Sequence, residues 1–418
     1  MKVREVVALL GAGALLLAAC GGDDDSGGAD GKGDDGNSVD AAKVLGAKHA
    51  GTGDPVKIGY VYDGTTDVID NANELAAAKA AAQYVNDYLG GIAGRPIELD
   101  VCSTDQTPSG AADCVSQMAA DKVPIVLNGV TGQGPSLFPK LAEAGVPAFT
   151  PGTGDQESLF TPGIYIMGNG IVSLVAGPAK VAADAGSDRA AIVVIDVPAA
   201  SGALEEAAPM FYDNVDVKVD IVTVPPDTPD MTPNIAAELS KEPGQFQVIG
   251  DSPFCAKALA GLANAGFDGQ IVIIPQCIDE ALLSSATNLE GAVVTSFTTS
   301  DPASEEFQLY EAVMDTYADD GVDQGGTAPS GYQAVVGFAR AMAGLQGEVT
   351  TDSIKAAFAA MPPTEMPLAD GITYQCDGKQ VTLAPNICST DVLRTELDAE
   401  GQPGEYTVLK GASLLDIG

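Results

Sequence analysis

One structural unit repeats through most of the chain and limits the folds that the chain can adopt. The unit consists of a short apolar strand, a polar or glycine-rich loop, and an alanine-rich helix. Strands that are apolar throughout are typical of parallel sheets covered by helices on both faces. The alternation therefore predicts α/β layers around parallel sheets, in which ligands bind beyond the carboxyl ends of the strands. The predicted strands are "VKIGYVY", "PIELDVC", "VPIVLNG", "GVPAFTP", "AAIVVID", "VKVDIVTV", "FQVIGD" and "QIVIIPQ", and the predicted helices include "NELAAAKAAAQYVNDYL", "ADCVSQMAADK", "SLFPKLAEAG" and "CAKALAGLANAG".

The length and net charge of the chain limit the classes of protein to which it can belong. The chain has 418 residues, 45% of them hydrophobic, which indicates a globular protein too large for one small core and suited to two lobes. It carries 20 Lys plus Arg against 58 Asp plus Glu, a formal net charge of −38. Such a charge repels nucleic acid phosphates, so we expect no nucleic-acid partner. We interpret the acids mainly as a means of solubility in an extracellular or salty setting.

The N-terminus predicts export and a lipid anchor. Lys2 and Arg4 precede an apolar stretch, residues 6–17, which is too short to span a bilayer stably. Ala18 and Ala19 then lead into Cys20, and this junction resembles the bacterial lipobox, whose cysteine is diacylated and becomes the mature N-terminus. The alternative is an ordinary secretory signal that happens to contain a cysteine. Two acyl chains anchor stably, so residues 1–20 are predicted to be a lipoprotein signal peptide with Cys20 as the site of lipidation.

The next segment, residues 21–54, is predicted to be a disordered acidic, glycine-rich tether, because it offers almost nothing apolar to bury. The structured body is expected to begin at residue 55.

Six cysteines remain after Cys20, and in an exported protein an even number predicts three disulfides. Sequence alone permits fifteen connectivities, but the spacing favours sequential pairs. The last pair flanks "DGKQVTLAPNI", which is hairpin-like with a turn at Asp377 and Gly378. We expect neither a metal site nor a cofactor, since there is no C-x-x-C and His49 is the only histidine. The predicted pairs are Cys102 with Cys114, Cys255 with Cys277, and Cys376 with Cys388.

The order of these strand–loop–helix units resembles that of the type I periplasmic binding proteins, in particular the leucine/isoleucine/valine-binding branch that serves ABC transporters. The resemblance covers residues 55–410. It departs from the family pattern in the first loop, "YDGTTDV", which lacks the usual Gly-Pro start, and in the absence of tryptophan. The phrases that carry it are "IGYVYDG", "YVNDYLGGIAGRPIEL", "CSTDQTPSGAADCVSQMAADKVPIVLNG", "LAEAGVPAFTPGTGDQ" and "GYQAVVGFARAMAG".

The resemblance implies two lobes, each a parallel sheet flanked by helices, joined by three crossings and closing on a ligand. By chain order, residues 55–171 and 298–371 would form the first lobe. Residues 172–297 and 372–418, which include a C-terminal hairpin, would form the second. Ligand contacts with both lobes would shift the population toward the closed state.

The resemblance also implies a set of binding residues in the first lobe, where family loops hold an amino acid's carboxylate through hydroxyl and backbone N–H groups. The matching positions are Thr131 with Gly132, and Thr153 with Gly154. Both loops lead into helices, whose N-termini favour anions. The alternative is that the two threonines merely cap those helices. Further candidates for the wall of the first lobe are Tyr62 and Asp63.

In the second lobe the family uses two aromatic residues and an acid that pairs with the ammonium group. Here Ser201 stands at the first aromatic position, so that ring is missing. The other candidates are Asp251, Phe254, Gln276 and Asp279, each of which could equally be a solvated loop residue.

These features favour a membrane-anchored, extracytoplasmic solute-binding lipoprotein that passes an amino acid or related amide to ABC permease subunits. We expect a monomer without enzymatic activity, because no G-x-S-x-G elbow occurs and a Ser-His-Asp triad would have to use His49 in the tether. The alternative function is a ligand-sensing lipoprotein that reports to a membrane receptor, since a fold does not fix a function. A purely structural lipoprotein is disfavoured by two hinged lobes with polar loops at the strand ends.

Overall fold

The computed structural model describes residues 41–65, 70–153, 157–168, 170, 172–278, 282–283, 289–381 and 384–411. The predicted lipidation site, Cys20, and the two candidate binding residues Gly154 and Asp279 lie outside this part of the chain. No helix within the described part is long and apolar enough to cross a membrane.

The described elements alternate between strands and helices, as the sequence predicts. The helices are α1 (Ala41–Leu45), α2 (Ala72–Tyr88), α3 (Pro108–Asp121), α4 (Gly134–Glu143), α5 (Gly177–Asp184), α6 (Pro198–Asp213), α7 (Thr232–Leu239), α8 (Ser252–Ala265), α9 (Glu305–Tyr317), α10 (Ala328–Ala341) and α11 (Thr351–Ala360). The strands are β1 (Val56–Tyr62), β2 (Ile97–Ser103), β3 (Val126–Leu127), β4 (Ala148–Thr150), β5 (Ile164–Ile166), β6 (Arg189–Ile195), β7 (Lys218–Val224), β8 (Gln245–Ile249), β9 (Gln270–Ile273), β10 (Val293–Ser296), β11 (Thr364–Glu365), β12 (Thr373–Tyr374), β13 (Val392–Glu396) and β14 (Thr407–Leu409).

The first sheet is parallel throughout, with the strand order β2-β1-β3-β4-β5. One face packs against α2, α9, α10 and α11, and the other against α3 and α4. Helix α2 approaches α10 closely at Gly331, where a Cβ would come within 2.1 Å of the carbonyl oxygen of Glu74. Because β1 lies between β2 and β3, the direction of strand addition reverses beside β1, and such switch points are where α/β sheets bind ligands.

The second sheet has the order β14-β13-β10-β9-β8-β6-β7. Strands β6 to β10 are parallel and repeat the order of the first sheet, with a switch point between β6 and β8. The last two strands differ from the expected all-parallel sheet, because β13 and β14 are antiparallel. The direction of β13 follows from the point at which the chain re-enters the second sheet. The chain returns from the first lobe to the edge at which β10 ends, so that Leu393, near the start of β13, pairs with Ser296 at the end of β10.

Two lobes connected by three crossings follow from this strand order. The chain leaves the first sheet after β5 and builds the second sheet through β10. It then returns to supply α9, α10 and α11, which share a core with the first sheet, and it crosses again after β12. The fold is the two-lobed α/β architecture that the sequence predicts, with helices on both faces of each sheet.

The predicted boundary between tether and body is wrong, because residues 41–54 are part of the body. Leu45 at the end of α1 is only 6% exposed and belongs to the core of the first lobe. The segment after it pairs with the end of α2, where His49 N–H donates to the carbonyl of Asp87 at 2.9 Å and Gly51 N–H to that of Asn86 at 2.8 Å. The apolar residues of "AAKVL" supply the contacts that an acidic, glycine-rich stretch would lack.

The three predicted disulfides are present, and each joins cysteines that are close in sequence, 12, 22 and 12 residues apart. The Cys102–Cys114 bond joins β2 to α3, and Cys255–Cys277 joins α8 to the turn after β9. The bond between Cys376 and Cys388 closes a loop at the third crossing.

The hairpin expected between Cys376 and Cys388 does not form in the described part of that loop. Gly378 does adopt a left-handed turn, at φ 75°. The loop's end instead pairs with the first sheet, where Ile166 N–H donates to the carbonyl of Asn386 and Cys388 N–H donates to that of Ile166, both at 2.8 Å. Backbone groups at the end of the loop therefore fix it to β5, and one bond crosses its base, from Gln375 N–H to the carbonyl of Cys388 at 2.8 Å.

Candidate functional site

The first switch point is organised by one buried carboxylate, Asp63, which follows β1 directly and is 5% exposed. Its Oδ1 accepts hydrogen bonds from the hydroxyls of Thr104 and Thr131, each at 2.7 Å. Its Oδ2 accepts the backbone N–H of Gly132, also at 2.7 Å. A single side chain thus ties together the loops that follow β1, β2 and β3.

Thr131 does not cap α4. The N-cap of that helix is Gln133, which makes no side-chain capping bond. Besides donating to Asp63, the Thr131 hydroxyl accepts the backbone N–H of Gln133 at 2.9 Å. It therefore connects Asp63 to the turn that leads into the helix, and the capping alternative is wrong for this residue.

A second carboxyl group, that of Glu74, lies fully buried beneath the same loop. Its Oε1 accepts the hydroxyl of Tyr60 at 2.9 Å and the backbone N–H of Gly129 at 3.2 Å. Burial raises the pKa of Glu74 to about 8, the nearby charge of Asp63 adds to this, and the hydrogen bonds from Tyr60, Val130 and Gly129 offset it in part. At neutral pH Glu74 is therefore mainly protonated.

The loop after β2 is strained where it meets this cluster. Asp105 and Gln106 are consecutive non-glycine residues in the left-handed region, at φ 48° and 56°. The Thr104 hydroxyl that donates to Asp63 also accepts the N–H of Gln106, at 3.1 Å, which helps to hold the turn. Backbone of this kind costs about 1–3 kcal/mol per residue and clusters at ligand sites.

Tyr62, the last residue of β1, is half-buried at the same edge. Burial raises the pKa of Tyr62, and the carboxylates of Asp105, Glu74 and Asp70 raise it further. Its hydroxyl therefore stays protonated and able to donate a hydrogen bond. The structure brings four of the predicted residues together at this switch point: Tyr62, Asp63, Thr131 and Gly132.

The carboxyl edges of the two sheets meet at Phe297, which follows β10 of the second sheet. A Cβ at Gly152, after β4 of the first sheet, would lie 3.4 Å from the Cζ of this ring, and one at Gly168 would lie 3.6 Å from its Cγ. Thr153, the next residue after Gly152, is half-buried at the same edge. The loops after β4 and β10 therefore contact each other directly.

Three predicted residues of the second lobe also lie at a carboxyl edge, because they follow parallel strands of one sheet. Ser201 is half-buried in the first turns of α6, and its hydroxyl donates to the carbonyl of Val197 at 3.1 Å. Asp251 caps α8, accepting the N–H of Phe254 at 3.0 Å. Gln276 is exposed in a helical turn after β9.

Among the predicted residues that the structure describes, Phe254 is the side chain that lies away from the strand-end loops, in the core. It is 1% exposed and packs in the core between the second sheet and its helices. A Cβ at Gly250 would come within 2.4 Å of the ring, so the ring lies beneath the loop instead of above it. The prediction for Phe254 is wrong because the first turn of α8 directs this position inward.

Three residues of the site escape sequence reasoning: Glu74, Thr104 and Phe297. A signal for Glu74 is present, because it falls in register with the buried stripe of α2 formed by Ala78, Ala81 and Val85. An acid on such a stripe is buried and needs partners. Thr104 and Phe297 carry no comparable local signal, since their positions depend on which strands are neighbours.

Metal or histidine chemistry has little support at these strand ends. Among the described residues no group of three His, Cys, Asp or Glu side chains could hold a metal ion. His49 is at the opposite edge of the first sheet, because it pairs with the end of α2, which is joined to Ile97 at the start of β2 by the side chain of Asn86. What the site offers is hydrogen bonding.

A comparison with known families matches residues 55–384 to the family described as "Periplasmic binding protein". A comparison with curated protein sequences finds no match.

Solved structures share this fold. One is the branched-chain amino acid transporter substrate-binding protein LivJ from Streptococcus pneumoniae in complex with isoleucine, at 17% identity and a TM-score of 0.65 over 85% of this chain and 99% of that one. Another, the leucine-, isoleucine-, valine-, threonine- and alanine-binding protein from Brucella ovis, has 15% identity and a TM-score of 0.72 over 87% and 97%. A third is an ABC transporter solute-binding protein from R. palustris in complex with 4-hydroxybenzoate, with 16% identity and a TM-score of 0.65 over 86% and 98%.

Proposed function

Because the chain belongs to the periplasmic binding protein family, we propose that it is an extracytoplasmic solute-binding lipoprotein of an ABC importer. It captures a small polar solute, an amino acid or a related amide, between its two lobes and delivers it to permease subunits. Residues 55–171 and 298–371, together with the docked segment 41–54 and with β12, act as the first lobe, and residues 172–297 with the strands β13 and β14 act as the second.

The observation that carries this proposal is the meeting of the two carboxyl edges at Phe297 and Gly152. Each sheet has its switch point at such an edge, so both sets of ligand-binding loops open toward the same cleft. A solute held there touches both lobes, and closure then follows as a population shift. The polar side chains that we assign to this cleft are those of Tyr62 and Thr153 in the first lobe and of Ser201 and Gln276 in the second.

Two related structures support the size and character of the ligand. One is a complex with isoleucine and the other with 4-hydroxybenzoate, both small solutes with a polar end and an apolar part. Half-buried Tyr62 and Phe297 give this chain apolar surface at the cleft for such a part. The missing ring at Ser201 leaves the second wall more open than an aromatic residue would.

Ligand capture is tested by a thermal-shift screen of the full-length protein in detergent against amino acids, amides and small carboxylates. At about 1,000 times its dissociation constant a ligand stabilises the folded protein by roughly 4 kcal/mol, which raises the melting temperature by several degrees. A hit is then followed into cells, where deletion of this chain should abolish uptake of the labelled solute. Undiminished uptake in the deletion strain would contradict the transport role.

The lipid anchor has a separate test. Cys20→Ser should release the protein from the membrane fraction or leave its signal uncleaved, because the serine hydroxyl cannot accept the lipid that the thiol carries. Cys102→Ser with Cys114→Ser is the matched control, since it removes cysteines without touching the proposed anchor. Wild-type membrane partitioning and mass in Cys20→Ser would overturn the anchor and leave solute binding unaffected.

A further inference from the structure

Four donors of the first switch point are already engaged by the chain's own carboxyl groups. Thr104 and Thr131 donate their hydroxyls, and Gly132 its N–H, to Asp63, each at 2.7 Å. The N–H of Gly129 is directed at Glu74, at 3.2 Å. The loop before α4 therefore presents these groups inward, to acids of the same lobe, instead of toward the cleft.

A further donor of this loop is engaged within the chain as well. Gln133 N–H, at the start of α4, donates to the Thr131 hydroxyl at 2.9 Å. The positive end of α4 thus faces a hydroxyl that is itself bound to Asp63. A carboxylate arriving from the cleft would have to displace Asp63 before it could use these donors.

The surrounding loops do not supply a compensating positive charge. The segments that follow β1 to β4 read "DGTTDVID", "TDQT", "NGVTGQ" and "PGTGDQ", and they contain aspartates but neither lysine nor arginine. Asp63 is close enough to Glu74 for its charge to raise the pKa of that group, so a further anion here would be repelled as well as unpaired. An N–H donor group of a ligand would instead be attracted to this surface, because the surface is rich in carboxylate oxygens.

We infer that Asp63 is a built-in anion that determines specificity, so that the first-lobe half of the cleft accepts a ligand's amide or ammonium group and rejects its carboxylate. This rests on the proposed function and narrows it, because it places an amide or ammonium group of the solute at Asp63 and excludes solutes whose one polar group is a carboxylate. The acceptor atoms for such a group are the remaining lone pairs of Asp63 and the hydroxyl oxygens beside it.

The test uses the full-length protein and probe pairs that differ in one group: isovalerate with isovaleramide, and 4-hydroxybenzoate with 4-hydroxybenzamide, together with isobutylamine. In wild type the amide or amine is expected to bind at least about tenfold more tightly than the matched carboxylate, because of the like charge and the engaged donors. Asp63→Asn, which removes the charge and keeps the shape, should reduce this preference below about threefold. A carboxylate that binds wild type as tightly as its amide would overturn the inference while leaving solute capture standing.

A second arm does not depend on knowing the ligand. Asp63→Gly empties the place of the carboxylate and leaves Thr104, Thr131 and Gly132 without an acceptor, so acetate should raise its melting temperature relative to chloride at equal ionic strength. The control is Asp87→Gly, which removes a hydrogen-bonded carboxylate at the other end of α2 and should show no such rescue. Equal acetate effects in Asp63→Gly, Asp87→Gly and wild type would overturn the assignment of this anion site.

The outcomes separate the two claims. If Asp63→Gly does not fold, the preference measured with Asp63→Asn decides the inference alone. If no member of either class shifts the melting temperature of wild type, the proposed solute capture fails, and the specificity of its site falls with it.

Discussion

Replacement of Glu74 by glutamine tests whether a protonated acid lies at the centre of the first lobe. Glu74 is fully buried, and its pKa is raised to about 8, chiefly by that burial. In the unfolded chain the same group titrates near its ordinary value of about 4.3. Glutamine copies the shape of the protonated acid, and its oxygen can still accept the hydrogen bonds from Tyr60 and Gly129.

The direction of the effect follows from proton binding. Between the two pKa values the folded protein keeps a proton that the unfolded chain releases, so the stability from this group is complete below about pH 4 and is lost as pH rises toward about 8. Each pH unit in this window costs wild type about 1.4 kcal/mol, or at most about 4 kcal/mol between about pH 5 and pH 8. The Glu74→Gln variant does not lose this stability as pH rises, because the amide does not titrate.

The assay is urea-induced unfolding followed by circular dichroism at a series of pH values. Many other acids titrate in the same range, so the quantity to compare is the difference in unfolding free energy between variant and wild type. That difference should rise with pH in favour of Glu74→Gln, whatever constant cost the amide introduces. Glu98→Gln, at an exposed position of β2, is the control and should follow wild type. Parallel curves for Glu74→Gln and wild type would refute the reasoning.

Three further outcomes are expected from the packing and bonding described above. Leu45→Ala should lower the free energy of unfolding by about 2 kcal/mol, because Leu45 docks residues 41–54 on the first lobe; an unchanged urea midpoint would show that this segment is not docked. Replacing Cys376 and Cys388 together by serine should cost about 2–4 kcal/mol in thermal unfolding, and unaltered stability would contradict a structural role for this disulfide. In calorimetry with a screened ligand, Thr153→Ala should weaken binding by roughly tenfold, whereas Thr131→Ala should lower stability by about 1–3 kcal/mol and affect affinity little; the reverse pattern would exchange the two roles.

Much of the fold is predictable from the sequence because buried parallel strands are apolar throughout. "VKIGYVY" coincides with β1 at both ends, and the strands β6 to β8 are found within one or two residues of their bounds. Strand β9 begins where predicted and ends three residues earlier, at Ile273. The described strands outside the predicted set are β5, β10, β11, β12, β13 and β14. In β13 the charged residues Arg394 and Glu396 interrupt the apolar pattern, since this strand lies near the edge of its sheet.

The candidate site is less predictable, because it depends on strand order. The sequence places Asp63 at the end of a strand and Thr131 in a loop that precedes a helix, but it does not show that the two meet. They meet because β1 lies between β2 and β3, which also brings Thr104 to the same carboxylate. For Phe254 the helical register of α8 decides between cleft and core, and a boundary error of one residue reverses the answer.

A crystal structure of the full-length protein with a solute from the screen would test the central claim most directly. If the two lobes capture the solute, its electron density should lie between the two carboxyl edges. The solute should contact the loops after β1 and β4 on one side and those after β6 and β9 on the other. An amide or ammonium group of the solute should also face Asp63, which keeps its hydrogen bonds to Thr104 and Thr131. A solute bound outside the cleft, or touching only one lobe, would contradict capture between closing lobes.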